Sequence, residues 1–332
     1  MNQVILYYSF TRIENIEHFC ADHRRKCRAL NLLGRIYIAS EGINGTLAGR
    51  PEDILAYEDY LHSIPGFEST EFKDDYCESV PFVKLIVRIR PEIVVLRAKV
   101  KVDPVINKGK HLPPHQWRQL LESHEDVTLL DVRNGYESKI GHFEGAVIPS
   151  VENFYDFEDW LDRSRLDKSK KVLMYCTGGI RCEKFSLLME QKGFKEVYQL
   201  RGGILNYKKQ EGGAHFKGRC FVFDDRLSVP VDEKFQEVIS HCEITGVLCD
   251  QYLNCANPDC NKLFICSLEG AKKYQGCCGL ECMQSERRRP FDANNVYEPT
   301  RKMYTYSTRE YETSRLNEKD IKYGYNVRPG IS

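Results

Sequence analysis

The sequence predicts a mixed α/β protein with an α+β start. Strand-like and helix-like segments alternate through the middle of the chain, an α+β pattern precedes them, and cysteines crowd the last third. The chain has 332 residues, enough for two or three domains. Its 48 basic side chains match 48 acidic ones, so no global basic field announces a polyanionic partner. Any such site is a local patch. The longest apolar runs are strand-length, which argues against a membrane-spanning helix. The run Val4 to Tyr8 lacks a basic leader and reads as a first strand rather than a signal peptide, so a cytoplasmic protein is expected. Its 14 cysteines then point to metal or redox chemistry rather than disulfides.

Residues 1–102 form the first expected unit. Val4 to Phe10 reads as a strand, and Ile13 to Leu32 as a helix with Ile16, Phe19 and Cys20 on one face. Arg35 to Ala39 is a second strand. Pro51 opens a second helix carrying Leu55, Tyr57 and Leu61. Val83 to Val87 and Ile93 to Leu96 follow as strands, separated by Arg90-Pro91. The order β-α-β-α-β-β suggests a ferredoxin-like (acylphosphatase-like) sandwich. The run Ser40-Glu41-Gly42-Ile43-Asn44-Gly45-Thr46 joins one strand to another short one, and its Asn-Gly pair is a hairpin-turn signal. It is either a structural turn or a loop facing ligand or nucleic acid.

Residues 103–213 form the second expected unit, reached through a connection bounded by Pro104, Pro113 and Pro114. Pro114 to Leu121 reads as a helix, Val127 to Val132 as a buried strand, Phe154 to Leu166 as a helix and Val197 to Leu200 as a strand. Alternation of this kind argues for a parallel sheet, which binds ligands at the carboxyl ends of its strands. Val172 to Tyr175 is an apolar run that reads as a strand buried on both faces. Cys176-Thr177-Gly178-Gly179-Ile180-Arg181-Cys182 follows, then a helix with Phe185, Leu188 and Met189 at helical spacing and Gly193 at its C-terminal cap. Cys176 therefore stands at a strand's carboxyl end, where backbone N–H groups and the helix dipole favour an anion. Its thiol is expected below the free value of about 8.5, with Arg181 adding a positive charge. The alternative is a buried structural cysteine.

The loop has the form C-x4-R and resembles the active-site loop of rhodanese domains. A phosphatase loop of the related kind needs C-x5-R, and here Cys182 occupies that place. The resemblance spans about a hundred residues and includes Asp131-Val132-Arg133 with Tyr136-Glu137, Gly141-His142 with Gly145-Ala146, and Leu200 with Gly202-Gly203. It implies a reactive sulfur on Cys176, with Asp131 and Arg133 tying loops together. His142 is read as a satisfied loop histidine rather than a catalytic base.

Residues 214–285 form a cysteine-rich third unit. It holds Cys242, Cys249, Cys255, Cys260, Cys266, Cys277, Cys278 and Cys282. Short spacings suit tetrahedral zinc, and the candidate ligands are Cys255, Cys260, Cys278 and Cys282; the alternative is a set of reduced free thiols. Residues 286–332 are polar, with too few aliphatics for a core. They are expected to form a flexible tail in which Tyr297, Tyr304, Tyr306, Tyr311, Tyr323 and Tyr325 are available for base stacking. Candidate RNA-binding patches are Arg24-Arg25-Lys26 with Arg28, the run Arg97, Lys99 and Lys101, and Arg287 to Arg289.

The combination of S-E-G-I-N-G-T, C-T-G-G-I-R-C-E-K, N-C-A-N-x-x-C-N-x-L-F and G-C-C resembles the bacterial tRNA uridine hydroxylase family over residues 1–285. That resemblance implies oxygen-dependent 5-hydroxylation of the wobble uridine of tRNA, with Cys176 as the catalytic cysteine, O2 as co-substrate and tRNA as partner. The chain departs from the family pattern where Thr245 and Glu269 stand in place of two cysteines, which puts a second metal site in doubt. No flavin or nicotinamide fingerprint identifies an electron donor. Two other classes stay open: a persulfide-carrying sulfurtransferase and a zinc-containing RNA-binding module without catalysis.

Overall fold

The computed structural model describes residues 1–123, 125–232 and 237–297. The first sheet is built from β1 (Asn2–Phe10), β2 (Leu33–Ala39), β3 (Gly42–Gly49), β4 (Phe72–Cys77) and β5 (Leu85–Ile89), with helices α1 (Ile16–Ala29) and α2 (Pro51–His62) between them. Strand order is β4-β1-β3-β2-β5, and all neighbours are antiparallel except β2 and β5. Alternation along the strands sends Ile5, Tyr7, Ile36, Ile38, Ile43 and Leu47 to the face that α1 and α2 cover with Cys20, Cys27, Ile54, Tyr57 and Leu61. The ferredoxin-like expectation holds, with β5 added at the edge.

Two local expectations change, and one strand is new. Asn44-Gly45 lies inside β3, and the chain turns at Ser40-Glu41 instead. A Cβ on Gly45 would stand 2.4 Å from the Tyr7 hydroxyl, so the glycine is there for close packing of strands, not for a turn. Ile93 to Leu96 forms no strand. Ile93 packs on Phe10 and Ala39, and Leu96 enters the core of the next sheet, so burial produces their apolar pattern. Phe72–Cys77 is a strand that its polar sequence hides.

The second sheet is parallel, in the order β6-β10-β9-β7. In chain order its region comprises β6 (Lys110–Leu112), α3 (Pro114–Glu122), β7 (Val127–Asp131), α4 (Gly135–Ser138), β8 (Gly141–Phe143), α5 (Phe157–Arg163), β9 (Lys171–Tyr175), α6 (Ile180–Gln191), β10 (Glu196–Leu200) and α7 (Gly203–Glu211). The expected helix over 154–166 begins as a single 3-10 turn and ends at Arg163. β9 is buried on both faces: Val172 and Met174 meet Phe157, Phe185 and Leu188, while Leu173 and Tyr175 meet Trp117, Phe143 and Ile204. α6 ends where expected, with Gly193 in the left-handed region at φ 92°.

Beyond α7, β11 (Phe216–Phe221) pairs with β8 and with β12 (Ser228–Pro230). A hairpin follows from β13 (Tyr252–Asn254) and β14 (Leu263–Ile265), then two short helices, α8 (Leu268–Lys273) and α9 (Leu280–Met283). Cys242, Cys249, Cys255, Cys266 and Cys277 are buried here among Phe221, Tyr252 and Phe264. Among the described residues no helix is long and apolar enough to cross a membrane. Tyr304, Tyr306, Tyr311, Tyr323 and Tyr325 lie outside the described residues.

Gly45→Ala is expected to destabilise the chain by about 1–3 kcal/mol, because the fully buried Tyr7 ring is hydrogen-bonded to Tyr57 and cannot retreat. Urea unfolding of the two proteins measures the difference.

Candidate active site around Cys176

β9 delivers Cys176 at its carboxyl end, and α6 starts four residues later. The turn between them requires Gly179 at φ 102°. The glycines serve a second purpose. A Cβ on Gly178 would lie 2.2 Å from the Leu6 side chain, and one on Gly179 would lie 2.8 Å from the Tyr8 hydroxyl. The close neighbour of this loop is the first sheet, whose β1 supplies both side chains. Cys176 is only 1% exposed beneath it.

The Gly179 amide donates to Cys176 Sγ at 3.1 Å. Burial by itself would raise the Cys176 thiol. The Cys182 thiol, the Arg181 charge and the amides of Arg181 and Gly179 together outweigh burial and bring it down to about 5. Cys182 is pushed the other way, first by burial and then by its role as the donor to the neighbouring anion. These opposite shifts favour a thiolate at Cys176 and a neutral thiol at Cys182, in the first turn of α6.

Arg181 does not reach out for a ligand. Its guanidinium grips Glu137 of α4 in a two-point ion pair, at 2.5 and 2.8 Å, and its Nη2 lies 3.3 Å from the Thr177 hydroxyl. Glu137 is fully buried, and with Asn134 it also closes a capping box on α4. A second buried pair joins Asp131 and Arg133. Arg133 also donates to the Gly141 carbonyl at 2.6 Å, and the Tyr175 hydroxyl donates to Asp131 at 2.9 Å. These residues tie β7, β8 and β9 together below the loop. His142 faces the Ser138 carbonyl at 2.9 Å.

The two residues after Cys182 bind the loop to its neighbours. The Glu183 carboxylate accepts from the Tyr8 hydroxyl at 2.9 Å and from Gln199 at 3.1 Å, and it pairs with His111 at 3.0 Å. Burial would raise Glu183; the His111 contact and the two further hydrogen bonds outweigh it and keep the group below its ordinary range. Lys184 is buried between Glu41 at 2.8 Å and Glu92 at 2.6 Å. Glu41 sits in the turn that opens the S-E-G-I-N-G-T run, and its carboxylate also receives the Ile93 amide at 2.8 Å.

Beside the loop lies a narrow cleft whose lining includes Leu6, Thr46, Lys73, Thr177 and Phe223. Lys73 stacks its ammonium over the Tyr8 ring at 4.7 Å, and burial lowers its pKa. Phe223 is 39% exposed and lies under Arg181, 5.8 Å from the ring centroid. Sequence reasoning missed Tyr8, Lys73, His111, Glu137 and Phe223 as parts of this site. Of these, only Glu137 carries a local signal, its place in the D-V-R-x-x-Y-E run.

None of the candidate RNA-binding residues lines this cleft. Arg24 donates to the Val87 carbonyl, Arg25 pairs with Asp22, and Lys26 lies over Tyr60. Arg97 lies over Tyr155, Lys99 pairs with Asp159 and Asp162, and the Lys101 carbonyl accepts from Gln191. Arg287 pairs with Asp259.

A strand-ended cysteine loop on a parallel sheet, roofed by an acylphosphatase-like sheet, defines a rhodanese-type cysteine protein with a fused N-terminal domain. Domain models agree: residues 2–93 match the UPF0176 acylphosphatase like domain, residues 114–210 the rhodanese-like domain and residues 217–283 the rhodanase C-terminal domain. A protein of Chlamydia felis (strain Fe/C-56) named tRNA uridine(34) hydroxylase is 41% identical over 321 residues, 94% of this chain and 97% of its own length. One of the same name from Staphylococcus aureus (strain JH9) is 43% identical over 297 residues, 89% of this chain and 93% of its own. The chain belongs to the tRNA uridine(34) hydroxylase family.

Glu137→Gln leaves the buried Arg181 without its counter-ion and is expected to cost about 3–5 kcal/mol. Thermal and urea unfolding check this, and an unchanged midpoint would show that the pair is dispensable.

Proposed function

We propose that this chain hydroxylates C5 of uridine 34 in tRNA, with O2 as co-substrate and Cys176 as the reacting sulfur. The observation that carries the reading is the buried Cys176 sulfur accepting from the Gly179 amide in the loop after β9, in a chain similar along nearly its whole length to proteins named for that reaction. Overall, one oxygen atom enters the C5–H bond, and the other leaves as water with two electrons and two protons from a reductant.

Two roles for the sulfur fit the geometry. In the first, the uridine is swung out of its stack and Cys176 adds to C6, which requires the β1 cover over the buried sulfur to give way. The electron pair then builds up at C5 and O4, which makes C5 able to react with the oxidant; loss of the C5 proton together with departure of the Cys176 thiolate then restores the C5–C6 double bond. In the second, Cys176 and Cys182 supply the reducing equivalents by closing to a disulfide, which an external thiol re-opens. Charge recognition of tRNA relies on local patches, since the formal net charge is zero.

A sulfurtransferase is the second reading, and the Gly179 amide bonded to Cys176 Sγ favours it, because the same donor would hold a persulfide anion. Nucleoside analysis separates the two. In tRNA from cells lacking the gene, 5-hydroxyuridine at position 34 is expected to vanish. The wild-type gene is expected to restore it and Cys176→Ala is not. Loss of a thiolated base with 5-hydroxyuridine intact would overturn hydroxylation in favour of sulfur transfer. Growth under labelled O2 is expected to place the label in the nucleoside; label from water instead would exclude O2 as the oxygen source.

A further inference from the structure

Far along the chain from the Cys176 loop, the last part of the described residues consists of short elements packed on one apolar cluster. β13 and β14 have three residues each, α8 six and α9 four. A hairpin and two helices of that size do not sustain themselves in water. Four cysteines converge on one point there. Cys255 follows β13, Cys260 lies in the turn before β14, Cys278 precedes α9 and Cys282 lies within it. Their sulfurs all lie within 4.8 Å of one another. Cys260 and Cys278 are 3.7 Å apart, and Cys278 and Cys282 are 3.8 Å apart. A tetrahedral ion with metal–sulfur bonds of about 2.3 Å sets its sulfurs about 3.8 Å apart. All four are free thiols, and the spacing suits a shared central ion better than any pairing into disulfides.

We propose that Cys255, Cys260, Cys278 and Cys282 bind one zinc ion in a closed tetrahedral site. The donor set is all sulfur, which selects zinc over the hard cations magnesium and calcium. Each thiol loses its proton as its sulfur–zinc bond forms, and neither sulfur nor zinc changes oxidation state. Four protein ligands leave no open coordination position, so the ion is structural and takes no part in the Cys176 chemistry.

The surroundings support thiolates. The Cys278 amide donates to Cys255 Sγ at 3.5 Å, and the Lys262 amide donates to Cys260. The Arg289 guanidinium, bonded to the Cys255 carbonyl and to Asn261 Oδ1, places positive charge beside the cluster, while the Lys262 ammonium is paired with Glu243 at 2.7 Å. The Arg289 amide also donates to the Ala256 carbonyl at 2.9 Å. Metal binding thus fixes the chain from Cys255 to Arg289 and holds the Arg287–Arg289 run in place. Cys277 next door is not one of the four cysteines whose sulfurs converge and is not a ligand.

The full chain, purified under reducing conditions from zinc-replete cells, is expected to hold about one equivalent of zinc by elemental analysis. Titration with a mercurial is expected to release it, with a metallochromic dye as the readout, as about four thiols react. Cys282→Ser is expected to lose the zinc, and Cys77→Ser, in the first sheet, to keep it. Should Cys282→Ser fail to fold, the test moves to wild-type protein stripped of metal and refilled with cobalt(II). The visible absorption of tetrahedral tetrathiolate cobalt is then expected, and its absence contradicts the site. Less than about half an equivalent of zinc, full zinc in soluble Cys282→Ser, or iron with inorganic sulfide in place of zinc would each overturn the proposal.

Discussion

The first sheet sits on the Cys176 loop, and the site depends on that contact. Leu6 and Tyr8 of β1 press against Gly178 and Gly179 where any side chain would collide. Around this apolar contact the charges interlock. Glu183 is held by Tyr8, His111 and Gln199, and Lys184 by Glu41 and Glu92. An ion buried without its partner costs several kcal/mol, so neither surface is stable in this form without the other. The consequence for chemistry is that the loop is shielded from water on the side β1 covers, with the narrow cleft lined by Thr177 and Phe223 beside it.

Shielding alone would defeat a thiolate, since burial favours the neutral thiol. The loop reverses that preference with short-range donors. The Gly179 and Arg181 amides and the Cys182 thiol aim at Cys176, and the Arg181 charge is fixed nearby by Glu137. Arg181 is thus a permanent part of the electrostatic setting rather than a hand for the substrate. Low dielectric strengthens each of these terms. A sulfur that is both anionic and dry is a stronger nucleophile than one in water, which suits either addition to a pyrimidine or transfer of sulfur.

Much of this was legible in the sequence, because local signals specify it. The apolar run before Cys176, the paired glycines and Gly193 marked the strand, loop and helix, and C-x4-R marked the site. What was hidden depends on partners distant in the chain. Gly178 and Gly179 are required by side chains from residues 6 and 8, far away in the chain. Asn44-Gly45 looked like a turn, but Tyr7 across the sheet dictates the glycine. Phe72–Cys77 forms an edge strand despite Lys73, Asp74 and Asp75, because only one side of it pairs, with β1. In the cysteine-rich part, the pairs 255/260 and 278/282 could be read from spacing, but their convergence on one point could not.

The ionisation of Cys176 is read most directly from its alkylation rate across pH, followed by mass spectrometry on the Cys176 peptide of the folded protein. A thiol lowered in the folded state is already a thiolate at neutral pH and becomes protonated only as pH falls through its own value. The rate is therefore expected to stay level from about pH 8 down to about pH 6 and to fall through a midpoint near 5. A midpoint near the free value of about 8.5 would mean that the loop does not stabilise the anion, and would contradict the role given to Cys176.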